Sequence, residues 1–164
     1  MPTLKALATL VLIPWLILPA VSAAQEMNIA DTVLKMPLAG DVSMDDAVDS
    51  MKLRANGLNF KLVAHLPLYQ ELQAMGVDSK RVEIFQFCDA RIAHEMISHN
   101  IDFSAYLPCR ITLIEDQEGK AWLVTLDLDK VMHTAKLPPD LLEKAILVRD
   151  NIQSIMEAGA NGEL

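Results

Sequence analysis

Two apolar runs, residues 109–114 and 121–126, are separated by Glu115-Asp116-Gln117-Glu118-Gly119-Lys120. A short polar connection holding a glycine joins neighbouring antiparallel strands, so this stretch reads as a β-hairpin. A hairpin is marginal alone in water. The rest of the chain must therefore supply further strands and a covering layer, and its patterning does so.

Residues 81–88 form the clearest further strand, with Val82 and Ile84 on one face and Phe85 and Phe87 on the other. Apolar side chains on both faces place it centrally, with a cover on each side. Residues 32–38 read as a short first strand, at an edge because of Pro37, and residues 60–65 as a second. Between them Ser43 caps a helix whose first turn carries Asp45 and Asp46. Its apolar positions Met44, Ala47, Val48 and Met51 recur at helical spacing, and Asn56-Gly57 stops it.

Pro67 opens a short helix that Gly76 ends. Residues 89–99 form another, with Ile92, Ala93, Met96 and Ile97 as the inward stripe. Pro138-Pro139 leads into the longest, residues 140–158. The order β-α-β-α-β-α-β-β-α predicts an α+β domain with one mixed sheet of about five strands and helices packed on it. Residues 43–164 form that single domain, after a leader and first edge strand over residues 25–42.

Residues 1–24 have a different character. Residues 4–18 are nearly all aliphatic apart from Lys5, and Val21-Ser22-Ala23-Ala24 supplies small residues after them. A positive start, an apolar run and a small-residue cleavage point mark a secretory signal peptide. Pro14 and Pro19 break the run short of the ~20 apolar residues a bilayer span needs. The expected product is exported, periplasmic in a Gram-negative cell, and keeps no stable membrane anchor once the signal is removed.

Charge and motifs narrow the function classes. The 164 residues carry a formal charge of −8, which argues against nucleic-acid binding, because phosphate contacts need a basic surface. Calcium loops, the phosphate loop, the dinucleotide glycine fingerprint, the nucleophile elbow and His-Glu-x-x-His are all absent. The acidic clusters at Asp45-Asp46, residues 115–118 and Asp127-Leu128-Asp129 read as a helix start, a solvated hairpin tip and a helix cap. His65 and His133 read as ordinary surface residues.

The order of elements, Glu118-Gly119 in the hairpin, and Leu107-Pro108 opening the fourth strand resemble the domain of unknown function 302 family, over roughly residues 43–135. The resemblance implies a compact α+β domain, often dimeric, with no established activity. Members of that family commonly carry a Gly-Asn-Pro-type turn after the third strand, where this chain has Gln86-Phe87-Cys88-Asp89-Ala90. Both cysteines thus fall at family landmarks.

Those two cysteines, Cys88 and Cys109, are the centre of the candidate site. Cys88 stands at the start of a helix, where free amides, the helix dipole and Arg91 would stabilise a thiolate. Cys109 opens the next strand beside Arg110. In an exported chain a structural disulfide is the first choice, with a redox pair or a metal site as the alternatives. The metal reading takes copper(I) as the soft ion, with His99 as the added ligand because it shares a helix flank with Cys88. Met96 reads as core and His94 as exposed.

The function expected is an exported, non-enzymatic binding or accessory module for an unknown protein or small molecule. The alternative is a thiol-redox or copper protein centred on Cys88 and Cys109. No cofactor is required by the sequence. The stripe Leu141, Ala145, Val148, Ile152 and Ile155, widened by Leu142, Ile146 and Met156, also makes the last helix a candidate homodimer face. On that reading Ile152→Asp yields a folded monomer.

Overall fold

The computed structural model describes residues 28–163. The expected signal peptide, residues 1–24, lies outside them. The strands are β1 (Val33–Pro37), β2 (Lys61–Leu66), β3 (Val82–Cys88), β4 (Cys109–Glu115) and β5 (Ala121–Leu126). The helices are α1 (Met44–Gly57), α2 (Leu68–Ala74), α3 (Ala90–His99), α4 (Leu128–Ala135) and α5 (Pro139–Asn161). Two 3-10 turns, Ile29–Thr32 and Ile101–Tyr106, complete the chain. The α+β class, the five strands and the order of the first eight elements are as expected; α4 is added before the last helix.

Local chemistry sets the helix starts. The Ser43 hydroxyl accepts the Asp46 N–H at 3.1 Å, and the Asp89 carboxylate accepts the N–H groups of Arg91 and Ile92 at 2.8 and 3.2 Å. Asp127 caps α4 in the same way, through the N–H groups of Asp129 and Lys130. Pro139 begins α5, where its missing N–H costs nothing, and Gly162 ends it in the left-handed region at φ 66°.

The sheet has the order β1-β5-β4-β3-β2, and every neighbouring pair is antiparallel. The expectation of a mixed sheet is therefore corrected. A helix between two strands suggested parallel crossovers. Here α2 bridges β2 to β3, and α3 with the second 3-10 turn bridges β3 to β4, so each insertion returns the chain to the end it left. Only α1 crosses the sheet, because β1 and β2 occupy opposite edges.

Register decides which residues meet. Glu83, Phe85 and Phe87 of β3 face Leu113, Ile111 and Cys109 of β4, and Leu113 faces Leu123 of β5. All seven are buried and share one face of the sheet. Val48, Met51 and Ala55 of α1, with Ile152, Ile155, Met156 and Ala160 of α5, close the core against them.

Val82 and Ile84 lie on the other face and are only half-buried. The expected double cover of β3 is thus corrected to a single one. An antiparallel sheet tolerates this, because it does not need helical crossovers on both sides. Residues at Leu142, Ile146 and Leu147 of α5 are exposed, whereas Ile152 is 2% exposed and belongs to the core.

Candidate functional site

The antiparallel pairing of β3 and β4 brings the end of one beside the beginning of the other. Phe87 stands opposite Cys109, so Cys88 is the diagonal neighbour of Cys109. Above this point the helical layer is incomplete. A cavity of about 70 Å³ remains between Phe60, Phe87 and Cys109 below, Ile92, Ala93 and Met96 of α3, and Ala145 and Val148 of α5. Residues of α4 and the aromatic rings of Phe103 and Tyr106 close its sides. Its lining is almost wholly apolar, and both cysteines border it. Such a volume holds a few heavy atoms, and its apolar lining offers water almost no hydrogen-bond partners.

Both cysteines are free thiols in this structure. Neither thiol is activated. Burial raises Cys88 above the ordinary thiol range, and the Asp89 carboxylate raises it further. The expected helix amides do not reach it, because Asp89 is interposed as the cap and its own carboxylate takes the N–H groups of Arg91 and Ile92. Burial, with a smaller contribution from Cys88, pushes Cys109 up to about 11.

The sequence-derived neighbours divide accordingly. Arg91 is exposed at the start of α3, His99 is exposed at its end, and neither lines the cavity. Arg110 is exposed and faces away from it, because it follows the buried Cys109 on β4. Among the described residues, no three side chains of the His, Cys, Asp or Glu type converge on a metal position. Met96 is buried and His94 exposed, as their helical phase predicts.

Cys109 carries a pH prediction. The folded chain holds its thiol proton to about pH 11, whereas the unfolded chain releases it near the ordinary value of 9.0. The folded state therefore binds more protons in between. Stability present below pH 9 should fall by about 2–3 kcal/mol as the pH rises through 11. Urea midpoints at pH 8 and pH 11 measure this drop, and the Cys109→Ala variant should show a correspondingly smaller one.

A second polar cluster went unread in the sequence. Glu83 is 4% exposed on the core face and holds two partners. One oxygen accepts the Arg81 Nε–H at 2.6 Å, and the other accepts the His65 Nε2–H at 2.5 Å. The His65 ring stacks on Phe85 with centroids 4.4 Å apart, and Arg81 also reaches Asp45 at 2.8 Å. His65 is thus a satisfied partner of a buried carboxylate rather than an ordinary surface residue. The available signal was Glu83 itself, an acid in the i, i+2, i+4 phase of Phe85 and Phe87 on a central strand.

Comparison with known proteins agrees with this architecture. No curated protein matches the chain. An uncharacterized conserved DUF302 protein from Bacillus stearothermophilus, known as a crystal structure, superposes with a TM-score of 0.65 at 15% identity. The superposition covers 77% of this chain and 97% of that one, and at this identity it speaks for the fold alone. The family model described as "Domain of unknown function DUF302" matches residues 35–159, from β1 almost to the end of α5. The chain belongs to the DUF302 family.

Proposed function

We propose that the chain is an exported, non-catalytic binding module that takes a small apolar molecule between α3, α4, α5 and the adjoining ends of β3 and β4. The apolar cavity bordered by two protonated thiols is the observation that carries this reading. Ligand pockets are mostly apolar with few polar groups, and at 70 Å³ this one suits a molecule of a few heavy atoms. The raised thiols argue against nucleophilic work at neutral pH, since the thiolate is the reactive form. Export rests on the signal-like run before residue 25, and the acidic charge supports a partner other than nucleic acid.

Xenon is a suitable probe because it enters dry apolar cavities. It should shift the methyl resonances of Ile92 and Val148, and Ala145→Leu should abolish those shifts without lowering the thermal midpoint. Shifts that survive Ala145→Leu sink the reading. The two thiols on one cavity favour a second reading, a soft-ion site for copper(I). One copper ion bound per chain with loss of both free thiols, in a protein that ignores xenon, favours that reading over the first.

A further inference from the structure

Among the described residues, the second face of the sheet has no helical layer over it and its central residues are only half-buried. Register places Leu66 of β2, Val82 and Ile84 of β3, Ile114 of β4, and Trp122 and Val124 of β5 on it. These residues adjoin across strands, with Thr112 of β4 between Ile84 and Val124, and form a mainly apolar patch. They fill two neighbouring rows at one end of the sheet face, roughly 7 Å apart along the strands and up to four strands wide at ~4.8 Å per strand. On the opposite face the same sheet is covered by helices.

The charged side chains that the strands place on this face are all cationic. Lys35 on β1, Lys61 on β2 and Arg110 on β4 share the face with the apolar residues, and all three are exposed. Lys120 lies over the Trp122 ring, 4.3 Å from its centroid. The strands place no Asp or Glu on this face. The Asp116 carboxylate, at the edge of the face, accepts the Trp122 indole N–H at 2.7 Å and backbone N–H groups of Glu118 and Lys120.

Elsewhere Lys52, Arg54, Lys80, Arg81, Lys130, Lys144 and Arg149 each hold a carboxylate, and only Arg91 and Lys136 hold none among the described residues. Lys35, Lys61, Arg110 and Lys120 form no ion pair among the described residues, although Lys120 lies close enough to Asp116 to help hold that carboxyl below its usual range. A chain of net charge −8 therefore keeps its unpaired cations mainly beside its uncovered apolar face.

We propose that this face is a docking surface for an acidic amphipathic helix of a partner protein. An apolar stripe on such a helix covers the sheet as α1 and α5 cover the other side, while flanking carboxylates meet the four cations. Like charges facing each other across an interface are costly, so a second copy, which would bring the same cations to the same face, fits less well. An anionic bilayer would attract this face but repel the acidic remainder of the molecule.

Two synthetic helical peptides of about 18 residues test this. They share a leucine stripe and differ in flanks, glutamate in one and lysine in the other. Dye-labelled peptides titrated with the full chain report affinity by anisotropy. The glutamate peptide should bind at least about tenfold more tightly than the lysine peptide. The preference should shrink in ~0.5 M salt. Lys35→Glu combined with Arg110→Glu should reverse it, with an unchanged circular dichroism melt because both positions are exposed.

Lys61→Glu with Lys120→Glu is the second variant should the first not fold. Equal affinity for the two peptides, or no binding of either, overturns the proposal. It is overturned equally by sedimentation with phosphatidylglycerol vesicles without any peptide preference. A dimer that the charge reversals dissociate, again without peptide preference, does the same.

Discussion

Placing aspartate at position 152 is expected to lower the thermal midpoint by more than about 12 °C, from a loss of about 4 kcal/mol or more. Ile152 is 2% exposed, in one cluster with Phe85, Phe87, Leu123 and Met156. The substitution removes a well-packed side chain and buries a carboxylate with no partner, and each change alone is costly. Scanning calorimetry checks the size of the loss. A folded Ile152→Asp monomer with a wild-type melt contradicts it. The reading of Ile152 as a dimer residue is corrected by the same burial, because residue 152 faces the sheet of its own chain. If α5 meets another copy, it does so through Leu142, Ile146 and Leu147, which are exposed.

That error shows where helical periodicity stops being informative. A stripe wider than about 100° says that a helix has two neighbours, but not whether the second belongs to the same chain. In α5 the residues from Ile152 to Ala160 meet α1 and the sheet, while Leu142 and Ile146 meet solvent. Capping was easier to read, because Ser43 and Asp127 act on N–H groups two or three residues away. The hairpin was legible for the same local reason.

Strand direction was not local. The parity of β3 was correct, yet whether α3 returned the chain to the same end depended on the whole path through the second 3-10 turn. The site was legible in its two cysteines and not in its neighbours. Cys88 and Cys109 were paired because an exported chain meets an oxidising compartment, and β3 and β4 bring them onto one cavity. Arg91, His99 and Arg110 were chosen by nearness in sequence or by helix flank. Asp89 intervenes as the cap, and β4 turns Arg110 to the opposite face. The walls of the cavity come from α3, α4 and α5, whose packing no local pattern encodes. The buried Glu83 was visible in the alternation of residues 82–88, but its partner His65 depends on the pairing of β2 with β3.

Gly159→Val is expected to destabilise the fold by about 3 kcal/mol, through the contact between α1 and α5. A Cβ at position 159 would lie 2.6 Å from Met51 Cγ, 3.0 Å from Leu123 Cδ1 and 3.2 Å from the Ala47 carbonyl oxygen. The leucine methyl can swing away. The methionine Cγ is close to its own backbone and moves less, and the carbonyl belongs to the helix itself. Glycine inside a helix costs about 1 kcal/mol relative to alanine, so its place here reflects the close approach of two helices. Gly159→Ala tests the balance directly, since the gain in helix propensity opposes a clash of about 1–3 kcal/mol. Urea unfolding should rank wild type above alanine and alanine above valine. Met51→Ala opens the space that the new Cβ needs, so Gly159→Ala should cost less in that background than in the wild type. Because the two side chains touch, their effects couple rather than add. Strict additivity, or an alanine variant more stable than wild type, would show that the helices separate freely at this point and that Gly159 is not what sets their distance.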